Sequence, residues 1–115
     1  MATEPAPVTI FYDGGCPVCS REIAFYRDRQ GTEGLAWVDV SREAPPAGVD
    51  RAAALARFHA RLPDGRLVAG AAAFAEVWRR VPGFRWLGAL VAWRPVTPLA
   101  DLAYAGFLRL RRLWR

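Results

Sequence analysis

One α/β domain, a small four-stranded mixed sheet with helices on both faces and extra helices at its C-terminus, is the fold class that three features of this 115-residue chain predict. Runs of β-branched and aromatic residues alternate with helix-period segments over the first two thirds of the chain. A Pro-Asp-Gly turn joins two short strand-like runs. No repeat or low-complexity linker divides the sequence, so residues 1–115 read as one domain whose residues 83–115 form a basic helical extension.

The elements follow in order. Val8, Thr9, Ile10, Phe11 and Tyr12 suit a buried strand over 8–13, which Asp13, Gly14 and Gly15 break. Pro17 fits a first helical position because its missing N–H would be unpaired there, which puts Cys16 at the N-cap of a helix over about 17–29 that closes at Gly31. Residues 35–40 read as a second strand. A loop with Pro45 and Pro46 follows, and Asp50 caps a short alanine-rich helix to about residue 56. Residues 58–62 and 66–69 flank Pro63, Asp64 and Gly65 as a hairpin. Phe74, Val77, Trp78 and Val81 recur at helical spacing.

Two more helices complete the chain. Residues 84–93 are apolar and contain Trp86 and Trp93. Thr97 and Pro98 then supply an N-cap and first position, and Leu99, Leu102, Ala103, Gly106, Phe107, Leu110, Leu113 and Trp114 follow one face. That face is expected to bury Leu102, Phe107 and Leu110. Arg109, Arg111, Arg112 and Arg115 lie largely off it.

All sixteen basic residues are arginine, and they are unevenly placed. Residues 79–115 carry eight arginines against Asp101 alone, a net of +7, whereas residues 1–78 have a net of −2. The extension is therefore either a solvated face over packed helices or a basic amphipathic surface for an anionic membrane or an acidic partner. No base-reading motif argues for nucleic acid. The first residues have neither a basic nor an apolar signal region, and no apolar run reaches the roughly eighteen residues of a membrane span. A cytoplasmic location is expected, where a Cys-x-x-Cys pair is more plausibly catalytic than structural.

That pair, Cys16 and Cys19, holds both cysteines of the chain. The thiolate is the nucleophile, and unpaired amides with the positive end of a helix dipole lower a cysteine pKa from about 8.5 towards roughly 3.5–7.5. Cys19, one turn on, shares the helix face and can close back on Cys16. Cys16 is thus the expected attacking thiol, and Cys19 the less exposed resolving one. A zinc site needs two further ligands and only His59 remains among nitrogen and sulfur donors; c-type haem needs histidine where Ser20 stands. No metal or cofactor is expected. The chemistry then requires a protein or low-molecular-weight disulfide or thiol substrate and an external electron donor or acceptor.

The motif Asp13-Gly14-Gly15-Cys16-Pro17-Val18-Cys19 resembles that of the DCC family of predicted thiol-disulfide oxidoreductases, and the likeness continues from His59 through Asp64-Gly65 to Phe74 and, more weakly, from Tyr104 to Arg112. The resemblance implies a thioredoxin-like fold, dithiol chemistry, and roles for Asp13, Cys16 and Cys19. The order of elements agrees with a minimal core of that fold. Thioredoxin-like proteins usually carry a cis-proline before the third strand, but no proline stands between Pro46 and Pro63. Phe58 to Ala60 take its place, with His59 expected to face the cysteines. His59 would then stabilise a thiolate or shuttle a proton, or else be a satisfied strand-end residue. Asp13 either accepts the Cys19 proton or caps the turn through the Gly15 or Cys16 amide. Tyr12 and Pro17 are the candidate substrate contacts. An alternative function is a non-catalytic binding or scaffolding module acting through the basic, Trp-rich C-terminal helices.

Overall fold

The structure, a computed structural model, describes residues 7–29 and 34–113. The positions expected of Gly31, Trp114 and Arg115 lie outside them. The strands β1 (Val8–Tyr12), β2 (Leu35–Asp39), β3 (His59–Arg61) and β4 (Leu67–Ala69) form one sheet in the order β2-β1-β3-β4. β1 is central, parallel to β2 and antiparallel to β3, and β3 pairs antiparallel with β4 across the Asp64-Gly65 turn. The helices are α1 (Pro17–Arg27), α2 (Arg51–Ala56), α3 (Ala71–Trp78), α4 (Arg85–Ala92) and α5 (Thr97–Arg111). This is a thioredoxin-like α/β arrangement with added C-terminal helices.

The alternation of β1 sorts its neighbours between two faces. Val8 and Ile10 pack with Ile23 and Tyr26 of α1 and with Ala73 and Val77 of α3. Phe11 points the other way, onto Val40 and Ala54 of α2. Both faces are therefore covered, and the strand that leads into the cysteine loop is buried in the middle of the sheet. α3 and α4 approach closely at Gly88, where a Cβ would collide with the Ala75 carbonyl and the Arg79 amide.

The last helix differs from the sequence expectation. α5 starts with Val96 at its N-cap; Thr97 lies inside the helix, with its hydroxyl donating to the Val91 and Trp93 carbonyls instead of capping. Leu102 is 71% exposed and Leu110 55% exposed, so neither is buried as the leucine stripe suggested. The inward face is instead Ala100, Tyr104 and Phe107, one helical turn apart in succession. Polar contacts select that face. Asp101 Oδ1 accepts the Ala71 N–H at the start of α3 at 2.8 Å, and Tyr104 Oη accepts the Phe58 N–H at 2.7 Å. Arg111 Nη2 donates to the Leu55 and Ala56 carbonyls at the end of α2, at 3.0 and 3.3 Å. Apolar residues occupy most of the circumference of α5, so periodicity alone could not choose between its faces.

Candidate active site

The loop between β1 and α1 is built almost entirely from backbone amides and two aspartates. Asp13, buried, accepts the Gly15 N–H on Oδ1 at 2.9 Å, and its carbonyl accepts the Cys16 N–H at 3.1 Å. Of the two roles read from the sequence, the turn-capping contact to Gly15 is present in the structure. Asp39, at the end of β2, holds the other side: its Oδ1 accepts the Gly14 N–H at 2.9 Å and both the amide and the hydroxyl of Ser41. Burial opposes ionisation of Asp39, but the Ser41 hydroxyl, the Gly14 and Ser41 amides and Arg42 outweigh it and keep this carboxyl below the usual carboxylate range. A Cβ on Gly14 would overlap the Asp39 carboxylate, so this glycine is required by close approach. Ser20 closes the loop by donating to the Gly14 carbonyl at 2.7 Å. Asp39 and Ser20 were not singled out from sequence; an aspartate at a strand end with serine two residues later was the available signal for the first.

Cys16 is the N-cap of α1 with Pro17 at its first turn, as the sequence indicated. Its exposure is not as expected. Cys16 is 0% exposed, while Cys19 is partly exposed, which reverses the predicted order. Cys16 lies at the inner end of the capped loop, and Cys19 is carried by the first turn of α1 to the wall of a cavity. The two thiols are near each other and are not joined by a disulfide. Burial, then the hydrogen bond to Cys16 and its negative charge, push the Cys19 thiol up to about 12, against an opposing contribution from Arg111. Cys19 therefore keeps its proton at neutral pH.

The cavity beside Cys19 has a volume of about 340 Å³. Val18, Phe58, Phe74, Trp78, Val91 and Phe107 make it strongly apolar, and α5 forms one of its walls. Its polar lining is sparse: Tyr12, Asp13, Glu22, Tyr104, Arg57 and Arg111 besides the thiol. Arg57 pairs with Asp101 at 3.4 Å and lies over the Tyr104 ring. Glu22, one turn after Cys19, is pushed up to about 7 by burial, partly offset by a hydrogen bond from Tyr26. The Tyr26 hydroxyl in turn accepts the Trp78 Nε1–H at 2.7 Å. Burial raises Tyr104 as well. Neither Glu22 nor Arg111 was marked by the sequence reading; Glu22 could have been found by its i, i+3 spacing from Cys19, whereas Arg111 is brought in only by the tertiary path of α5.

These features place a two-cysteine loop at a helix N-terminus in a thioredoxin-like sheet. The model of the DCC1-like thiol-disulfide oxidoreductase family matches residues 10–115. The chain belongs to that family. This DCC1-like chain is also 31% identical over 117 residues to an uncharacterized chloroplastic protein of Arabidopsis thaliana, an alignment that covers 94% of the chain. It spans about half, 54%, of that relative's length. No solved structure matches it.

The remaining candidates fall in different places. Tyr12 lines the cavity, at the end of β1. Pro17 is exposed at the start of α1 and is not among the lining residues. His59 pairs with Phe11 in the sheet, hence on the α2 face, and its Nδ1 lies 2.8 Å from the Arg57 carbonyl. Phe58, one residue earlier, is the member of that stretch that meets the cavity. Strand side chains alternate, so a shift of one position decides which of the two faces the dithiol side.

Proposed function

We propose that this DCC1-like protein exchanges disulfides through Cys16 and Cys19. The observation that carries the reading is the pair of neighbouring thiols, with Cys16 at the N-terminus of α1 and Cys19 on a cavity wall. In one direction a substrate disulfide takes two electrons from the dithiol. A mixed disulfide forms, the second cysteine attacks it, the Cys16–Cys19 bond closes, and the substrate leaves as thiols. An external donor of low-molecular-weight or protein thiols then reopens the bond. In the reverse direction the protein oxidises a dithiol by the same steps. Arg111 contributes positive charge and a hydrogen bond where sulfur charge changes, and Glu22 is a proton-exchanging group within one turn of Cys19. The test is a redox titration of the purified chain against dithiol buffers of known potential. A reversible Cys16–Cys19 couple is expected, and a pair that never forms an intramolecular disulfide refutes the reading.

A second reading rests on the C-terminal surface. Trp86 and Trp93 of the α4 region and Leu99, Leu102, Leu110 and Leu113 are all exposed, beside the exposed Arg85, Arg94, Arg109 and Arg112. A surface of this chemistry suits docking to an anionic bilayer or partner. Vesicle sedimentation tests it: binding that requires anionic lipid supports docking, and no binding to vesicles or to any acidic partner removes it.

A further inference from the structure

The dithiol opens inward, onto the apolar cavity, and that restricts what it can react with. Cys16 has no exposed surface, and the partly exposed Cys19 lines a space of about 340 Å³. The walls are mostly apolar, with Val18, Phe74, Trp78 and Phe107 among them, so a peptide thiol as polar as glutathione would lose more hydration there than Arg57 and Arg111 can replace, whereas a small couple with an apolar body fits. The positive groups of the lining, Arg57 and Arg111, come from the end of α2 and from α5. Of the two carboxylates, Asp13 is tied to the Gly15 amide and Glu22 to Tyr26.

Building on the dithiol reading above, we propose that the substrate of this site is a small dithiol/disulfide couple with an apolar body and an anionic end, and that Cys19 is the sulfur to which it bonds. The body fills the cavity, the anionic end meets Arg111 and Arg57, and Cys16 works from behind. When the reduced ligand enters against the oxidised protein, a ligand thiolate attacks Cys19 Sγ and the Cys16–Cys19 bond breaks. Cys16 departs as a thiolate, which the amides of the α1 N-terminus stabilise. The second ligand thiol then attacks the ligand sulfur of the mixed disulfide and closes the ligand's own disulfide, and Cys19 leaves and takes up a proton. Two electrons and one proton pass from the ligand, which enters as one thiolate and one thiol, to the protein, which holds them as the Cys16 thiolate and the Cys19 thiol. The reverse sequence reduces the ligand disulfide with the Cys16 thiolate as the resolving group.

The probes are dihydrolipoate, its uncharged amide dihydrolipoamide, and dithiothreitol, all used with the full chain in its Cys16–Cys19 disulfide form. Dihydrolipoate should reduce it at least about tenfold more efficiently than dithiothreitol, the effect of burying a methylene or two. It should also exceed dihydrolipoamide by about fivefold, and R111Q should erase that second difference. Octanoate, which has the chain and the carboxylate but no sulfur, should compete with dihydrolipoate. With the linear disulfide of ω-mercaptooctanoate, C16S should accumulate an adduct on Cys19 and C19S none. Equal efficiency for dihydrolipoate and dithiothreitol, no competition by octanoate, or faster reduction of the disulfides of insulin than of lipoate by the reduced chain overturns the inference and leaves the dithiol function standing. An adduct on Cys16 in C19S with none in C16S overturns the assignment of Cys19. A Cys16–Cys19 pair inert to every probe overturns both. The wild-type comparisons decide the matter even if a variant does not fold.

Discussion

The cysteine loop and the last helix are two ends of one chain held in place by opposite means. The loop is local: Asp13 to Ser20 satisfy one another within a few residues, and Asp39 reaches in from the neighbouring strand. α5 is attached from a distance, and its anchors are polar. Asp101, Tyr104 and Arg111 each satisfy backbone groups thirty to fifty-six residues away, while Leu99, Leu102 and Leu110 stay in solvent. A loop with local support can keep its geometry while the rest of the domain fluctuates. A cavity wall borrowed from α5 makes access to the thiol depend on the far end of the chain.

That contrast can be broken first at the sulfurs. Replacing either Cys16 or Cys19 by serine should lower complete dithiol turnover by a factor of about a hundred or more, since neither thiol alone can finish an exchange. A thiol-linked reductase assay reads it, and a single-cysteine variant with parental turnover would show that the loop is not the working part.

Glu22 gives the next effect, and its sign is set by burial. Its carboxyl is raised from 4.5 to about 7 in the folded chain, so between these values the folded state binds more protons than the unfolded one and stability falls as pH rises. The contribution is largest in the loss from pH 4.5 to 7, up to about 3 kcal/mol by linkage. Glu22→Gln should flatten this slope in urea titrations at several pH values. An unchanged slope would place Glu22 in solvent.

Tyr104→Phe removes the acceptor of the Phe58 N–H and should cost about 1–3 kcal/mol, because a part-buried donor is left unpaired. It should also loosen α5 and speed alkylation of Cys19 by bulky reagents. If stability and alkylation rate both match the parent, α5 is not held by this anchor.

The leucine face should respond least. Leu102→Gln together with Leu110→Gln should change stability by no more than about 0.5 kcal/mol, the usual range for exposed sites. The same pair should weaken sedimentation with anionic vesicles if that surface docks. A large loss of stability would mean that the stripe packs, as its periodicity first suggested.

How far the sequence reached depends on the range of the forces involved. β1, the Asp-Gly-Gly break, Pro17 at the start of α1, the Asp50 cap of α2 and the Asp64-Gly65 hairpin are decided by neighbours within a few residues, and all were legible. The family resemblance was legible in the same residues, Asp13 to Cys19. By itself, then, the sequence determined the α/β order, the central strand and a dithiol at a helix N-terminus. Tertiary structure decided the rest: the burial of Cys16 and the opening of Cys19 onto a cavity, the face of β3 on which His59 falls, and the choice of Ala100, Tyr104 and Phe107 over the leucines of α5. Each of these depends on which of two chemically acceptable faces meets its neighbour, and that choice is made by hydrogen bonds and packing between residues far apart in the chain.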